Sequence, residues 1–141
     1  MKGWVACACL FAAAALSAQA PMSKMPISSA DDYSRAMKEV GTLSAALRKS
    51  IATPSEADAA ITSARLEVIF KDVQAYWEDR KVEDAATFSK NAAAAARGVT
   101  SAVVAHDTTA AGAANQTLAG TCTACHTAHR DRLPDGSFKM K

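Results

Sequence analysis

The sequence has few aromatic residues: Phe, Trp and Tyr make up 6% of its 141 residues, although 50% of the chain is hydrophobic. This composition predicts one domain whose core consists largely of alanine and aliphatic side chains on helices. An excess of charge is also lacking, because 16 Lys and Arg are interspersed with 14 Asp and Glu, which leaves a net charge of +2. Without a basic stripe, the sequence gives no indication of nucleic-acid binding.

The first 20 residues are typical of a secretory signal peptide. Lys2 supplies the basic start, residues 3–16 form an apolar run, and Ala18-Gln19-Ala20 is a cleavage site of small residues. The run is too short to span a membrane comfortably. We therefore expect residues 1–20 to be removed on export to the periplasm, and residues 21–141 to form a mature domain without an integral membrane span.

Removal of that leader would leave two cysteines, Cys122 and Cys125, in the segment GTCTACHTAHR. His126 follows them at once, and Cys-x-x-Cys-His is the attachment signal for a c-type haem. On a helix, positions i, i+3 and i+4 share one face, so both thiols can form thioethers to the porphyrin vinyl groups while the imidazole reaches the iron. The motif predicts one covalent haem c, with His126 as the proximal ligand of the iron.

Three alternatives to haem attachment stay open at this point. A zinc site could use both cysteines, His126 and His129, but four ligands on one side of a helix cannot enclose a tetrahedral ion unless the helix breaks. A thioredoxin-like redox pair needs a strand–helix setting, and no strand-like segment precedes the motif. The five-residue motif could also occur by chance.

Apolar residues recur at helical spacing through the rest of the chain, and start and stop signals divide it into four helices. Ser29 is the predicted N-cap of the first, and Thr53 caps the second, with Pro54 and Glu56 in its first turn. The inward stripe of the first helix is Tyr33, Met37, Val40, Leu43, Leu47 and Ile51. The stripe of the second contains Ile61, Ala64, Leu66, Val68, Ile69, Phe70, Val73 and Trp77, before the charged residues 78–81 end the helix.

The third helix is predicted from about Val82, with His106 as a structural residue in its last turn and iron ligation as the alternative role for that histidine. Its inward residues are Ala85, Phe88, Ala92, Ala96, Val99 and Val103. Asp107 or Thr108 then caps a fourth helix that carries the motif to about Arg132, followed by a turn at LPDG and a tail, SFKMK. The predicted fold is an all-α, antiparallel four-helix bundle with haem c on the C-terminal helix.

A single Cys-x-x-Cys-His near the C-terminus, on the last of four helices, resembles the class II c-type cytochromes, the cytochrome c-prime family and its low-spin relatives. The resemblance covers residues 28–132. The family usually continues with x-x-aromatic-Arg, so Arg130 matches and is implied to contact the haem, whereas His129 replaces the aromatic residue. Gly120, at the entry of the motif, is expected to let the helix approach the haem closely. Family members often dimerise through their first two helices, so a homodimer is also implied.

In this family the first helix covers the distal side of the haem, and the residue there decides the function. The segment YSRAMKEVG resembles the Met-Lys-acid-x-Gly sequence of the low-spin branch, which implies that Met37 ligates the iron. A Met/His haem would make the protein an electron carrier for transient redox partners rather than an enzyme. In the alternative, Met37 only fills the distal pocket, and a five-coordinate iron binds NO or CO. Met22, Met25 and Met140 are competing ligands.

Overall fold

The computed structural model describes residues 26–53 and 55–141, which form four helices followed by a β-hairpin. The elements are α1 (Ala30–Ala52), α2 (Glu56–Asp79), α3 (Glu83–Val104), α4 (Thr108–His129), β1 (Arg130–Arg132) and β2 (Phe138–Met140). The prediction of an all-α four-helix bundle is confirmed. The predicted signal peptide, Met22 and Met25 lie outside the described residues. No helix in the described ranges is both long and apolar enough to cross a membrane.

Successive helices run in opposite directions, as contacts between their ends demonstrate. The ring of Tyr33, near the start of α1, lies 5.0 Å from that of Tyr76, near the end of α2. Ser63, in the first third of α2, hydrogen-bonds to Thr100 near the end of α3, at 2.8 Å. The packing is uneven: α3 contacts both α2 and α4 extensively, whereas α1 and α4 touch at few positions. The α1–α4 side is therefore the most loosely packed side of the bundle.

Alanine provides most of the buried surface of α3, as the composition predicts. Its buried residues are Ala85, Ala86, Ser89, Ala92, Ala93, Ala95, Ala96, Val99, Ala102 and Val103. Small side chains let α2 and α4 approach the α3 backbone closely, and the large fully buried residues come from those neighbours and from α1: Leu47, Leu66, Ile69 and Leu118. Close packing of this kind gains dispersion energy but leaves little room for added atoms.

Side-chain caps fix the starts of α1 and α4 where the sequence predicts them. Ser29 accepts a hydrogen bond from the backbone of Asp32 at 3.1 Å, and the Asp32 carboxylate accepts one from the Ser29 backbone at 3.0 Å. This reciprocal pair is a capping box. Asp107 caps α4 by accepting a hydrogen bond from the Ala110 backbone at 2.8 Å.

The predicted start of α2 is wrong, because the N-cap is Ser55 rather than Thr53. Thr53 ends α1, where its hydroxyl donates to the Lys49 carbonyl at 2.9 Å, and Pro54 lies outside the described residues. A threonine hydroxyl can bond to the backbone at either helix end, so the residue type did not decide between them. Ile61 is also misassigned: it is 64% exposed, because it lies five residues before buried Leu66 and so faces the opposite side of the helix.

The predicted ends of α3 and α4 also need correction. His106 lies two residues beyond the end of α3, with a positive φ of 57°. The helix α4 ends at His129 rather than near Arg132, and the predicted tail is the second strand of a hairpin. Gly136, with φ of 82°, supplies the left-handed turn residue, and the Leu133 backbone donates to the Ser137 carbonyl at 2.8 Å. Strands of three residues are too short to produce a clear alternating pattern.

Substitution of Ala96, which is fully buried in α3, tests the close packing of the alanines. We expect Ala96→Leu to lower the free energy of unfolding by about 1–3 kcal/mol, because the added atoms overpack the core. Ala94 lies on the exposed face of the same helix, so Ala94→Leu is a matched control that should change stability by no more than about 0.5 kcal/mol. Urea unfolding followed by circular dichroism measures both. Equal effects of the two substitutions would contradict this account of the core.

Candidate functional site

The last two turns of α4 place the motif residues on one face of the helix. Cys122, Cys125 and His126 are half-buried, whereas the two residues between the cysteines are exposed. The helix continues without a break to His129, so positions i, i+3 and i+4 project from the same side. Thr123, on the exposed side, donates its hydroxyl to the Ala119 carbonyl at 3.1 Å. The structure thus places two thiols and an imidazole on one half-buried face of α4.

An aromatic cluster from α1 and α2 borders this face. Tyr33 is 6% exposed, and its ring lies 5.0 Å from that of Tyr76 and 5.4 Å from that of Trp77. Burial raises the pKa of Tyr33 to about 12; nearby Cys125 adds to the rise, and Arg130 opposes it. The start of α1 and the end of α4 therefore meet at this cluster.

The indole of Trp77 adds a buried donor to the same region. Among the described residues its N–H makes no hydrogen bond of normal geometry, although it lies near enough to the Tyr33 hydroxyl to favour the ionised form of Tyr33. The sequence predicted Tyr33 and Trp77 only as members of apolar stripes. No local signal indicates their meeting, because the two residues are far apart in the chain and join only when α1 packs on α2.

Burial sets the protonation of the motif residues. It raises the pKa of the Cys122 thiol and that of the Cys125 thiol, and for Cys125 the neighbouring Cys122 and Asp84 add to the rise. Burial also lowers the pKa of His126, with Arg130 contributing. Both thiols are therefore protonated near neutral pH, and the imidazole is neutral, the form that binds metals. A thioredoxin-like pair needs the opposite, a cysteine with a lowered pKa.

The motif residues fit a covalently attached haem better than the alternatives. Both cysteines are free thiols, they share a face with a neutral imidazole, and Cys125 lies near Tyr33 of α1. The unbroken helix lacks the kink that zinc would need. Within residues 26–53 and 55–141, no group of three or more His, Cys, Asp or Glu side chains is arranged to hold a metal ion by itself.

Arg130 follows α4 directly and lies against the predicted iron ligand. Its Nη1 atom is 3.4 Å from His126 Nδ1, and its guanidinium carbon is 3.4 Å from the centroid of the Phe138 ring on β2. Contact of Arg130 with haem stays a prediction. Phe138 was predicted only as part of a tail, because its position over Arg130 depends on the hairpin that the sequence did not indicate.

His129 both packs against aromatic rings and forms a hydrogen bond. Its side chain is 14% exposed, and its Nε2 atom lies 2.9 Å from the Asp84 carboxylate at the start of α3. Its ring is 6.0 Å from that of Trp77 and 6.4 Å from that of Phe88. His129 therefore ties the end of α4 to α2 and α3 instead of joining the two thiols.

The remaining predicted residues fall in different places. Met37 is half-buried one turn after Tyr33, on the helix that borders the motif, and packs against the core; its ligation of iron stays a prediction. Met140 is half-buried on β2 and also packs against the core. Gly120 is exposed, and a Cβ atom there would meet no described atom within 4 Å, so no protein contact requires glycine. The predicted contact of Gly120 with haem stays untested.

His106 is remote from the motif, since it precedes the start of α4 whereas His126 lies near its end. It is 77% exposed, and its Nδ1 atom lies 2.8 Å from the carboxylate of Glu56. The hydrogen bond to Glu56 raises the pKa of His106. This contact ties the end of α3 to the start of α2, which is a structural role.

Comparison of the chain with protein-family models, with curated proteins and with solved structures found no match. The resemblance to the class II cytochromes therefore depends on the motif, its position in the chain and the four-helix arrangement.

The protonation of the thiols can be tested on the reduced, haem-free chain. We expect iodoacetamide to react with Cys122 and Cys125 more slowly in the folded chain than in denaturant, and the rate to keep rising above pH 9.0, the ordinary thiol pKa, before it levels off, because burial raises both pKa values. Mass spectrometry of alkylated peptides measures each cysteine separately. A thiol that titrates below about pH 8 would instead support a redox pair.

Proposed function

We propose that this protein is an exported, periplasmic c-type cytochrome that carries single electrons through one covalent haem c. The observation that carries the proposal is the common, half-buried face of Cys122, Cys125 and His126 on an unbroken helix. This is the arrangement that haem attachment requires, because two thioethers and one iron ligand must approach one porphyrin from the same side. The predicted signal peptide supports the proposal, since attachment of haem c takes place after export.

Each of the three motif residues would hold the haem through a particular bond. Cys122 and Cys125 would form thioethers to the vinyl carbons, and His126 would bind the iron through its neutral imidazole. Once bound, the haem supplies a one-electron Fe(III)/Fe(II) couple. The thiols need to be reduced and accessible to the vinyl groups, and two free, half-buried cysteines are compatible with both conditions.

The surroundings of the motif support a place for the haem between α1 and α4. These two helices touch at few positions, so a planar group there would displace little protein packing. The buried rings of Tyr33, Tyr76 and Trp77 make one border of this region apolar and keep water away from it. An apolar, water-poor setting limits the solvent reorganisation that accompanies a change in charge.

Met37 is the residue that we propose as the second iron ligand. It lies on the inward stripe of α1, one turn beyond Tyr33, and Tyr33 itself lies near Cys125 of α4. Thioether ligation favours ferrous iron and raises the reduction potential. With His126 and Met37 both holding the iron, neither oxidation state would need a new ligand, which would favour fast exchange with weakly docked redox partners.

Covalent attachment is the first test of the proposal. The full-length chain, produced with a haem-attachment system, should keep its haem absorption after denaturation and extraction with acidified organic solvent. A double variant, Cys122→Ala with Cys125→Ala, should lose it, because no thioether can form. Thr123→Ala changes an exposed residue between the cysteines and should keep full attachment. Haem that is extracted from the wild type would contradict the proposal.

Spectra of a methionine variant test the second ligand. We expect a low-spin ferric wild type with a weak far-red Met–iron band, and slow uptake of CO by its ferrous form. Met37→Leu, which conserves volume approximately, should become high-spin and bind CO rapidly. Met140→Leu is the matched control, because Met140 is also half-buried against the core, and it should leave the spectrum unchanged.

Two results would overturn the assignment of Met37. An unchanged spectrum of Met37→Leu would exclude it as a ligand. A wild type that is already high-spin and binds CO readily would favour the five-coordinate, gas-binding alternative over electron transfer.

A further inference from the structure

We propose that Phe138 of the C-terminal hairpin is a positioning residue, which holds the Arg130 guanidinium at the Nδ1 edge of His126 and thereby raises the reduction potential. This inference rests on the proposed function, because His126 must bind haem iron for a potential to exist. It assigns a role in the electron-transfer site to a hairpin that follows the four-helix bundle.

The register of the hairpin brings Phe138 to Arg130. Arg130 pairs with Met140, and Arg132 pairs with Phe138, so these four side chains lie on one face of the two strands. Phe138 is thus the diagonal neighbour of Arg130, within reach of a long side chain. The guanidinium carbon lies 3.4 Å from the ring centroid, well inside the range of a cation–π contact.

Core packing does not account for the ring of Phe138. It is 50% exposed, one of the few large hydrophobic side chains of the described residues with such exposure, and it is not part of the hydrophobic core cluster. Its ring centroid lies 3.4 Å from the guanidinium carbon of Arg130 and 6.0 Å from that of Arg132. The cation–π contact with Arg130 explains the placement of the ring.

The hairpin is anchored to the bundle at two consecutive residues, the last of β2 and the one that follows it. Met140, on the same face as Phe138, packs against the hydrophobic core. The backbone of Lys141 donates to the carbonyl of His129, the last residue of α4, at 2.9 Å. β2 is therefore fixed relative to α4, so the ring can restrict an arginine side chain that would otherwise be free to turn into solvent.

The restricted guanidinium lies next to His126. Arg130 Nη1 is 3.4 Å from His126 Nδ1. An imidazole that binds iron through one nitrogen carries its proton on the other, and arginine cannot accept that proton in a hydrogen bond, so the effect of Arg130 is that of a nearby positive charge. A fixed positive charge beside the iron ligand favours the ferrous state, because that state carries one positive charge fewer. Loss of the ring would let this charge move into water, where it is screened.

The test compares midpoint potentials of full-length, haem-loaded variants by spectroelectrochemistry. Phe138→Leu keeps an apolar side chain but removes the ring face, and should lower the midpoint. Phe138→Tyr keeps the ring face and should restore it. Arg130→Gln should lower the midpoint at least as far as Phe138→Leu does, and the double variant, Phe138→Leu with Arg130→Gln, should match Arg130→Gln alone.

Lys139→Ala is the charge control, since Lys139 lies on the opposite face of the hairpin and should shift the midpoint less than Arg130→Gln. A midpoint unchanged by Phe138→Leu would overturn the inference, as would a further fall when Phe138→Leu is added to Arg130→Gln. A chain that acquires no covalent haem would overturn the proposed function and this inference together. Loaded variants with equal midpoints would overturn this inference alone.

Discussion

The unbroken helicity of α4 up to His129 is the constraint on which the site depends, because it converts the spacing of Cys122, Cys125 and His126 into a common direction. A kink at any of these positions would separate the thiols from the imidazole. The helix is held in place along its length: alanines of α3 let it pack closely, Asp107 caps its start, and Asp84 binds His129 at its end. These contacts thus fix the orientation of α4 and of the face that carries the motif.

The uneven packing of the bundle determines what surrounds the motif face of α4. α3 is enclosed by α2 and α4, and its small side chains make those contacts close. α1 packs chiefly on α2 and leaves the side toward α4 loosely filled. Tyr33 and Trp77 border this region, where burial raises the thiol pKa values and, with Arg130, lowers that of His126. Packing and protonation therefore have a common origin in burial.

Features coded by neighbouring residues were predictable from the sequence. The cap of α1 by Ser29, the inward stripe of α1 and the end of α2 depend on local spacing, and the structure has them where they were expected. The prediction from local sequence was ambiguous where the same residue type or turn occurs in two structural contexts. Thr53 was predicted to start α2 but ends α1, and the residues after the turn at LPDG were predicted to be a tail, although they form the second strand of a hairpin.

The motif itself was predictable, but its surroundings were not. The spacing of Cys122, Cys125 and His126 in the sequence predicts that they share one face of a helix. The cluster of Tyr33 with Trp77 and the stacking of Phe138 on Arg130 arise instead from tertiary contacts and strand register. Such contacts leave no periodic signal in one sequence.

The most direct measurement of the central claim is mass spectrometry of the tryptic peptide that spans residues 98–130, taken from the exported protein after treatment with an alkylating reagent. The account predicts one haem bound to this peptide through Cys122 and Cys125, with neither thiol alkylated. A peptide without haem, with both cysteines alkylated or joined in a disulfide, would contradict it.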